Sequence, residues 1–185
     1  MANRGDKIVN RVTGEHITWL DTASDTAGKF LRMEFTVAPK GLVQIRHIHP
    51  NQTERFEIIE GELKIEQNGH YSILTPGDKA MVPKHTPHQW WNNSGTEIVK
   101  MIVTLEPALN SEVLFEQFFG LANDGKTNKK GLPNLMQSLA FCNAYQSYIA
   151  GPPIFVQRTV SFFLGGLANL LGYKTFYKKY SAEKL

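Results

Sequence analysis

The chain has 185 residues, 42% of them hydrophobic, and a formal net charge of +3 at pH 7. That length fits one domain, or one domain with a substantial extension, and the apolar content excludes a disordered chain. The basic surplus lies late, since residues 106–185 hold 8 Lys or Arg against 5 Asp or Glu; no stripe of positive charge suited to nucleic acid is present. The N-terminus, Met1-Ala2-Asn3-Arg4-Gly5-Asp6, lacks the apolar run of a signal peptide, and Cys142 stands alone. Both features lead us to expect a cytoplasmic protein without an intramolecular disulfide, with Cys142 as a small buried hydrophobe.

From Lys7 to about Glu106 the pattern is that of short strands separated by turn signals. Examples of the expected strands are Ile8–Val12, Phe30–Val37, Phe56–Ile59, Glu62–Glu66, Tyr71–Leu74 and Ile98–Leu105. Asn68-Gly69 marks a two-residue hairpin, because both central positions need positive φ. Thr75-Pro76-Gly77-Asp78 and Asn92-Asn93-Ser94-Gly95 are further turns. Many short strands joined by tight turns predict an antiparallel sandwich or barrel.

After Pro107 the period changes to that of helices. Ser111 is expected to cap one whose apolar stripe is Val113, Leu114, Phe115, Phe118 and Phe119. Residues 123–131 read as a loop. Pro133 suits the first turn of a second helix, with Leu135, Met136, Leu139, Cys142 and Tyr145 on one side, stopped at Gly151-Pro152-Pro153. A third helix is expected from Ile154 to Leu171, ended by Gly172, and one last helix in the basic, aromatic tail at 174–185. The division is therefore a barrel over residues 1–106 and a helical extension over 107–185.

Candidate chemistry is concentrated at His47-Ile48-His49, followed by Glu54, with His88 returning later. Three imidazoles and a carboxylate suit a divalent transition metal. On a strand, His47 and His49 point to one face about 6 to 7 Å apart. Pro50-Asn51-Gln52-Thr53 reads as a turn that brings Glu54 back beside them. Written out, one block runs Gly41, His47, His49, Glu54, Gly61, and a second runs Gly77, Pro83, His85, His88, Asn92. These blocks resemble the cupin superfamily in spacing. The first matches throughout, and the second carries His85 where the family usually has Gly.

The resemblance implies a mainly β chain: a cupin-type antiparallel β-barrel of the jelly-roll kind, followed here by a C-terminal α-helical extension outside the resemblance. It implies a metal (iron, manganese, zinc, nickel or copper) held by His47, His49, Glu54 and His88. Family activities include dioxygenases, isomerases, epimerases and decarboxylases, as well as sensors and storage proteins. The expected function is thus a metal-binding cupin, read first as a dioxygenase-like oxidoreductase or an isomerase acting on a small organic molecule. The alternative is a non-catalytic small-molecule binder or sensor. The resemblance also leads us to expect a homodimer.

Alternation suggests which side chains share the pocket with the ligands. With His47 and His49 inward, Val43 and Ile45 also point inward while Gln44 and Arg46 point out. Phe56 and Ile58 follow Glu54, Trp90 and Asn92 follow His88, and Met33 and Phe35 add another wall. Glu54 is the residue best placed to take a proton. His85 has two readings, a proton shuttle at the barrel mouth or a solvent-facing loop histidine. His16 and His70 are expected at the surface, and the run Glu57, Glu60, Glu62, Glu66 on a solvated strand face. The apolar stretch from Thr159 to Tyr173 is short for a membrane span, which needs about 20 residues. It is expected to be buried against the barrel or a partner subunit, with a membrane-surface helix as the rival reading.

Overall fold

Every second residue of the strand Leu31–Val37 is buried, and the same alternation runs through Glu15–Asp21, Thr53–Glu60, His88–Asn92 and Val99–Glu106. Each strand therefore has one face committed to a core. The computed structural model describes residues 2–43 and 45–181. In chain order the strands are β1 (Lys7–Asn10), β2 (Glu15–Asp21), β3 (Leu31–Val37), β4 (His47–Ile48), β5 (Thr53–Glu60), β6 (Leu63–Gln67), β7 (His70–Leu74), β8 (Lys79–Val82), β9 (His88–Asn92), β10 (Val99–Glu106) and β11 (Tyr148–Ile149).

They form two antiparallel sheets, β1-β2-β3-β10-β5-β8 and β11-β4-β9-β6-β7. Ile17, Trp19, Met33, Phe56 and Met101 from the first sheet share one core with Leu63, Ile65 and Trp90 from the second. Burying each such side chain is worth about 1.5–3 kcal/mol, so alternation alone holds the two sheets face to face. The β6–β7 hairpin turns at Asn68 and Gly69, with φ of 51° and 87°, and pairs Gln67 with His70.

Three helices follow, α1 (Ser111–Asn123), α2 (Leu135–Tyr145) and α3 (Ile154–Leu170). α1 lies on the barrel: Phe119 belongs to the barrel core, and Phe115 packs against Trp19 and Phe35 at ring separations of 6.3 and 6.0 Å. Ser111 does not cap it. Asn110 holds the cap position without a side-chain bond, while the Ser111 hydroxyl accepts from Gln52 Nε2 at 2.7 Å. The same amide nitrogen lies within 3.0 Å of the Pro107 and Ala108 carbonyls and so ties the barrel to the extension.

Three expectations about α2 need correction. Asn134, not Pro133, sets its start, by accepting the Gln137 N–H at 3.0 Å. The buried face is Gln137, Ala140, Phe141 and Tyr145, whereas Leu135 is 70% exposed. Gln137 is drawn inward because the tail satisfies its amide: it donates to the Lys174 carbonyl and accepts from the Tyr177 hydroxyl. α2 ends before the Gly-Pro-Pro run, at Tyr145. Gln146 then takes φ of 51° and the chain enters β11, a strand the sequence did not announce.

α3 begins where the sequence predicts and ends one residue earlier, at Leu170, with Leu171 as its cap and Gly172 at φ of 91° just beyond. Its face differs from expectation. Ser161, Gly165 and Ala168 are buried, and α2 is the helix it packs on, so the large apolar side chains point outward and not into the barrel. Small residues allow close helix packing, and that leaves the bulky ones on the far side. The tail over residues 174–181 forms turns, not the expected helix; the rest of that expectation, 182–185, falls outside the described residues, as does the outward placing of Gln44.

Candidate metal centre

His47 and His88 face each other directly across the β4–β9 pair. Glu54 comes from β5 in the opposite sheet, where it is buried at 6% exposure. His49 follows β4 and is fixed by its own carbonyl, which accepts the His85 N–H at 3.0 Å. One ligating atom from each of His47, His49, Glu54 and His88 lies within 4.8 Å of the others. The site thus bridges the two sheets, and the three imidazole rings sit 4.2–5.4 Å apart.

The ring orientations are set from behind. His47 Nδ1 lies 2.9 Å from the Ile45 carbonyl, and His88 Nδ1 lies 2.9 Å from the Thr86 carbonyl. A carbonyl only accepts, so both Nδ1 atoms carry a proton and both Nε2 atoms turn inward, the usual way a backbone shell prepares metal-ligating imidazoles. His88 Nε2 is 2.9 Å from Glu54 Oε2, and His49 Nε2 is 3.8 Å from the same oxygen. His49 Nδ1 is buried without a hydrogen-bond partner among the described residues. Three nitrogen donors and one oxygen donor at this separation fit a divalent transition metal.

Electrostatics agree with that fit. Burial, together with the charges of the neighbouring rings, holds His47 well below the ordinary imidazole range. The same causes push His49 down to about 3. Burial also opposes charge on His88, but the Glu54 hydrogen bond and charge, the Thr86 carbonyl and Glu66 outweigh it, so His88 is raised. Without metal, His88 is therefore the ring of the three that holds a proton to the highest pH. Metal binding must displace that proton. Apparent affinity should rise with pH, about tenfold per unit, until the raised His88 value is passed, and then level off. Calorimetric titration in buffers of different ionisation enthalpy should show proton release on metal binding that declines as the pH is raised; no release at any pH would contradict this assignment.

Arg46 and Glu66 hold the ligand strand from outside. The guanidinium donates to Glu66 through Nε at 2.6 Å and through its terminal nitrogen at 3.0 Å, and Glu66 is only 3% exposed. The Arg46 hydrogen bonds and charge lower the Glu66 carboxyl. Glu66 is thus not part of a solvated acidic face. β11 adds a second clamp: Tyr148 and Ile149 pair with Ile48 and His47, and the Ala150 N–H donates to the Arg46 carbonyl at 2.9 Å. Gln157 of α3 then brackets Ile149, accepting its N–H at 3.0 Å and donating to its carbonyl at 2.8 Å.

Of the expected pocket residues, Met33, Phe35, Phe56, Ile58 and Trp90 are buried in the core, Val43 packs partly buried against it, and Ile45 is half-buried. Trp91 faces the outer surface beside Tyr71, with Lys64 over both rings. His16 and His70 are exposed. His85 is exposed too, and its φ of 63° explains why the related motif favours glycine there. His85→Gly should leave metal content unchanged and raise stability by roughly 0.5–1 kcal/mol, read by thermal unfolding, because it removes left-handed strain. A loss of metal would show that the imidazole itself acts on the site.

A β-barrel that closes three imidazoles and one carboxylate between two sheets defines a class, and the comparisons agree with it. The family description "Cupin domain" matches residues 33–105. "Probable oxidoreductase virH" of Hypocrea virens is 30% identical over 74% of this chain and 67% of its own length. "Quercetin 2,3-dioxygenase" of Bacillus subtilis is 31% identical over 66% of this chain and 34% of its own. Among solved structures, a predicted oxalate decarboxylase from Thermotoga maritima superposes with a TM-score of 0.50 at 18% identity, covering 58% of this chain and 99% of that one. The chain belongs to the cupin superfamily. It spans about a third to two thirds of the length of the curated relatives it matches.

Proposed function

We propose that the protein is a metal-dependent oxidoreductase of dioxygenase type acting on a small organic molecule. The observation that carries this reading is the cluster of His47, His49, Glu54 and His88 itself, with the Nε2 atoms of His47 and His88 turned inward by backbone carbonyls behind the rings. Relatives named as oxidoreductases and as a dioxygenase support it. His47, His49, Glu54 and His88 would hold the metal, which when bound would polarise a substrate oxygen or exchange an electron with it.

The chain's own residues do the rest. Met33, Phe35, Phe56, Ile58 and Trp90, with Val43 and Ile45, are proposed as the apolar wall that excludes water and orients the organic part of the substrate. Glu54 lies beside His88 Nε2 and is the group placed to accept a substrate proton. The test is oxygen consumption by the protein loaded with iron, manganese or nickel, against a panel of enolic and aromatic hydroxyl compounds. Turnover with at least one compound, lost in Glu54→Gln with metal still bound, is the expected result. Loaded protein that consumes no oxygen across the panel would overturn the dioxygenase reading.

A further inference from the structure

We propose that the outer face of α3, with the basic segment after it, is a docking surface for an anionic phospholipid bilayer. The large side chains of this helix are turned to solvent: Phe155, Phe162, Phe163 and Leu170 are 71, 73, 68 and 85% exposed. At 100° per residue they fall, with Val160 and Leu167, on one wide arc opposite the buried Ser161, Gly165 and Ala168. That arc carries no charge. An apolar face of this breadth marks an interaction surface.

Charge selects the occupant. Residues 125–181 hold seven Lys or Arg and no Asp or Glu, whereas residues 1–124 hold 12 Lys or Arg against 16 Asp or Glu. The stretch that carries α2, α3 and the tail is therefore net cationic, while the chain before it is net acidic, although Lys179 is paired with Asp124 at the end of α1. Lys174 and Lys178, just past the end of α3, are exposed and take part in no ion pair among the described residues. Arg158 lines an open cleft of about 500 Å³ with Asn143, Thr159, Phe162 and Phe163, which sets a cation beside the apolar arc. Two copies meeting through this face would bring two such cationic stretches together, so a second copy fits poorly. An anionic bilayer takes up both features, the rings entering the acyl boundary and the lysines meeting phosphates. No helix among the described residues is long and apolar enough to cross a membrane, so α3 would lie in the surface.

The test is flotation of the full chain with vesicles of phosphatidylcholine alone and of phosphatidylcholine with phosphatidylglycerol. We expect binding to the anionic vesicles at least about tenfold stronger than to the neutral ones, weakening as salt is raised. Phe162→Ser combined with Phe163→Ser should reduce binding by about a hundredfold while metal content is retained. Absence of binding to anionic vesicles, or equal binding to both kinds, would overturn the proposal; these arms use the wild-type chain and need no variant to fold. Light scattering that shows a dimer in the wild type and a monomer in the double variant would also overturn it, by showing that a second copy covers the face.

Discussion

Replacing His88 with alanine is expected to remove the metal and to weaken the fold at once. The ring is fully buried, fixed at Nδ1 by the Thr86 carbonyl, and 2.9 Å from Glu54 through Nε2. A four-ligand site worth roughly 10–16 kcal/mol loses about a quarter of that with one ligand, or about two to three orders of magnitude in affinity. The second loss is electrostatic. Glu54, itself buried, is left without the imidazole that faces it, and stranding one partner of such a pair costs about 3–5 kcal/mol. Metal content by elemental analysis and thermal unfolding with and without chelator read the two effects separately. Wild-type metal content in the variant would contradict the assignment of His88 as a ligand.

Gly61→Ala should be among the most damaging single-methyl additions. Gly61 has φ of +79°, and a Cβ there would stand 2.2 Å from the Ile98 carbonyl oxygen and 3.1 Å from Val99 Cα. Those atoms are backbone at the start of β10, which is hydrogen-bonded on both sides by β3 and β5, so they cannot retreat. Left-handed strain contributes about 1–2 kcal/mol and the clash adds to it, for roughly 3 kcal/mol or more. In a chain of this size that lowers the melting temperature by about 6–12 °C. Gly77→Ala is the matched control: φ is +92°, but nothing lies within 4 Å of the added carbon. Its cost should be the strain alone, about 1–2 kcal/mol. Equal losses in the two variants would show that Gly61 is required only for its torsion angle.

These two residues also show what could be read from the amino acids. Gly61 and the grouping of His47, His49, Glu54 and His88 were legible because a turn glycine and a set of candidate ligands constrain identity as well as spacing, and the fold does bring the four side chains together. The barrel strands were legible because one buried face imposes alternation, as at Leu31, Met33, Phe35 and Val37. What escaped depends on partners distant in sequence. β11 has two residues, too few to show a period, and is a strand only because β4 offers an edge. Glu66 looked like one of a run of exposed acids until Arg46, 20 residues earlier, closed on it. The face of α2 was misjudged because Gln137 is satisfied by Lys174 and Tyr177, some 40 residues on. The outward face of α3 escaped because Ser161, Gly165 and Ala168 are chosen for size, and size does not register as hydrophobic pattern.

X-ray absorption spectroscopy at the edge of whichever metal loads the purified protein is the most direct test of the four-residue centre. The account predicts a single site per chain with an inner shell of nitrogen and oxygen at about 2.0–2.2 Å, and outer scattering from three imidazole rings. A shell of oxygen alone, or imidazole scattering that persists undiminished when His47 is changed to alanine, would contradict it.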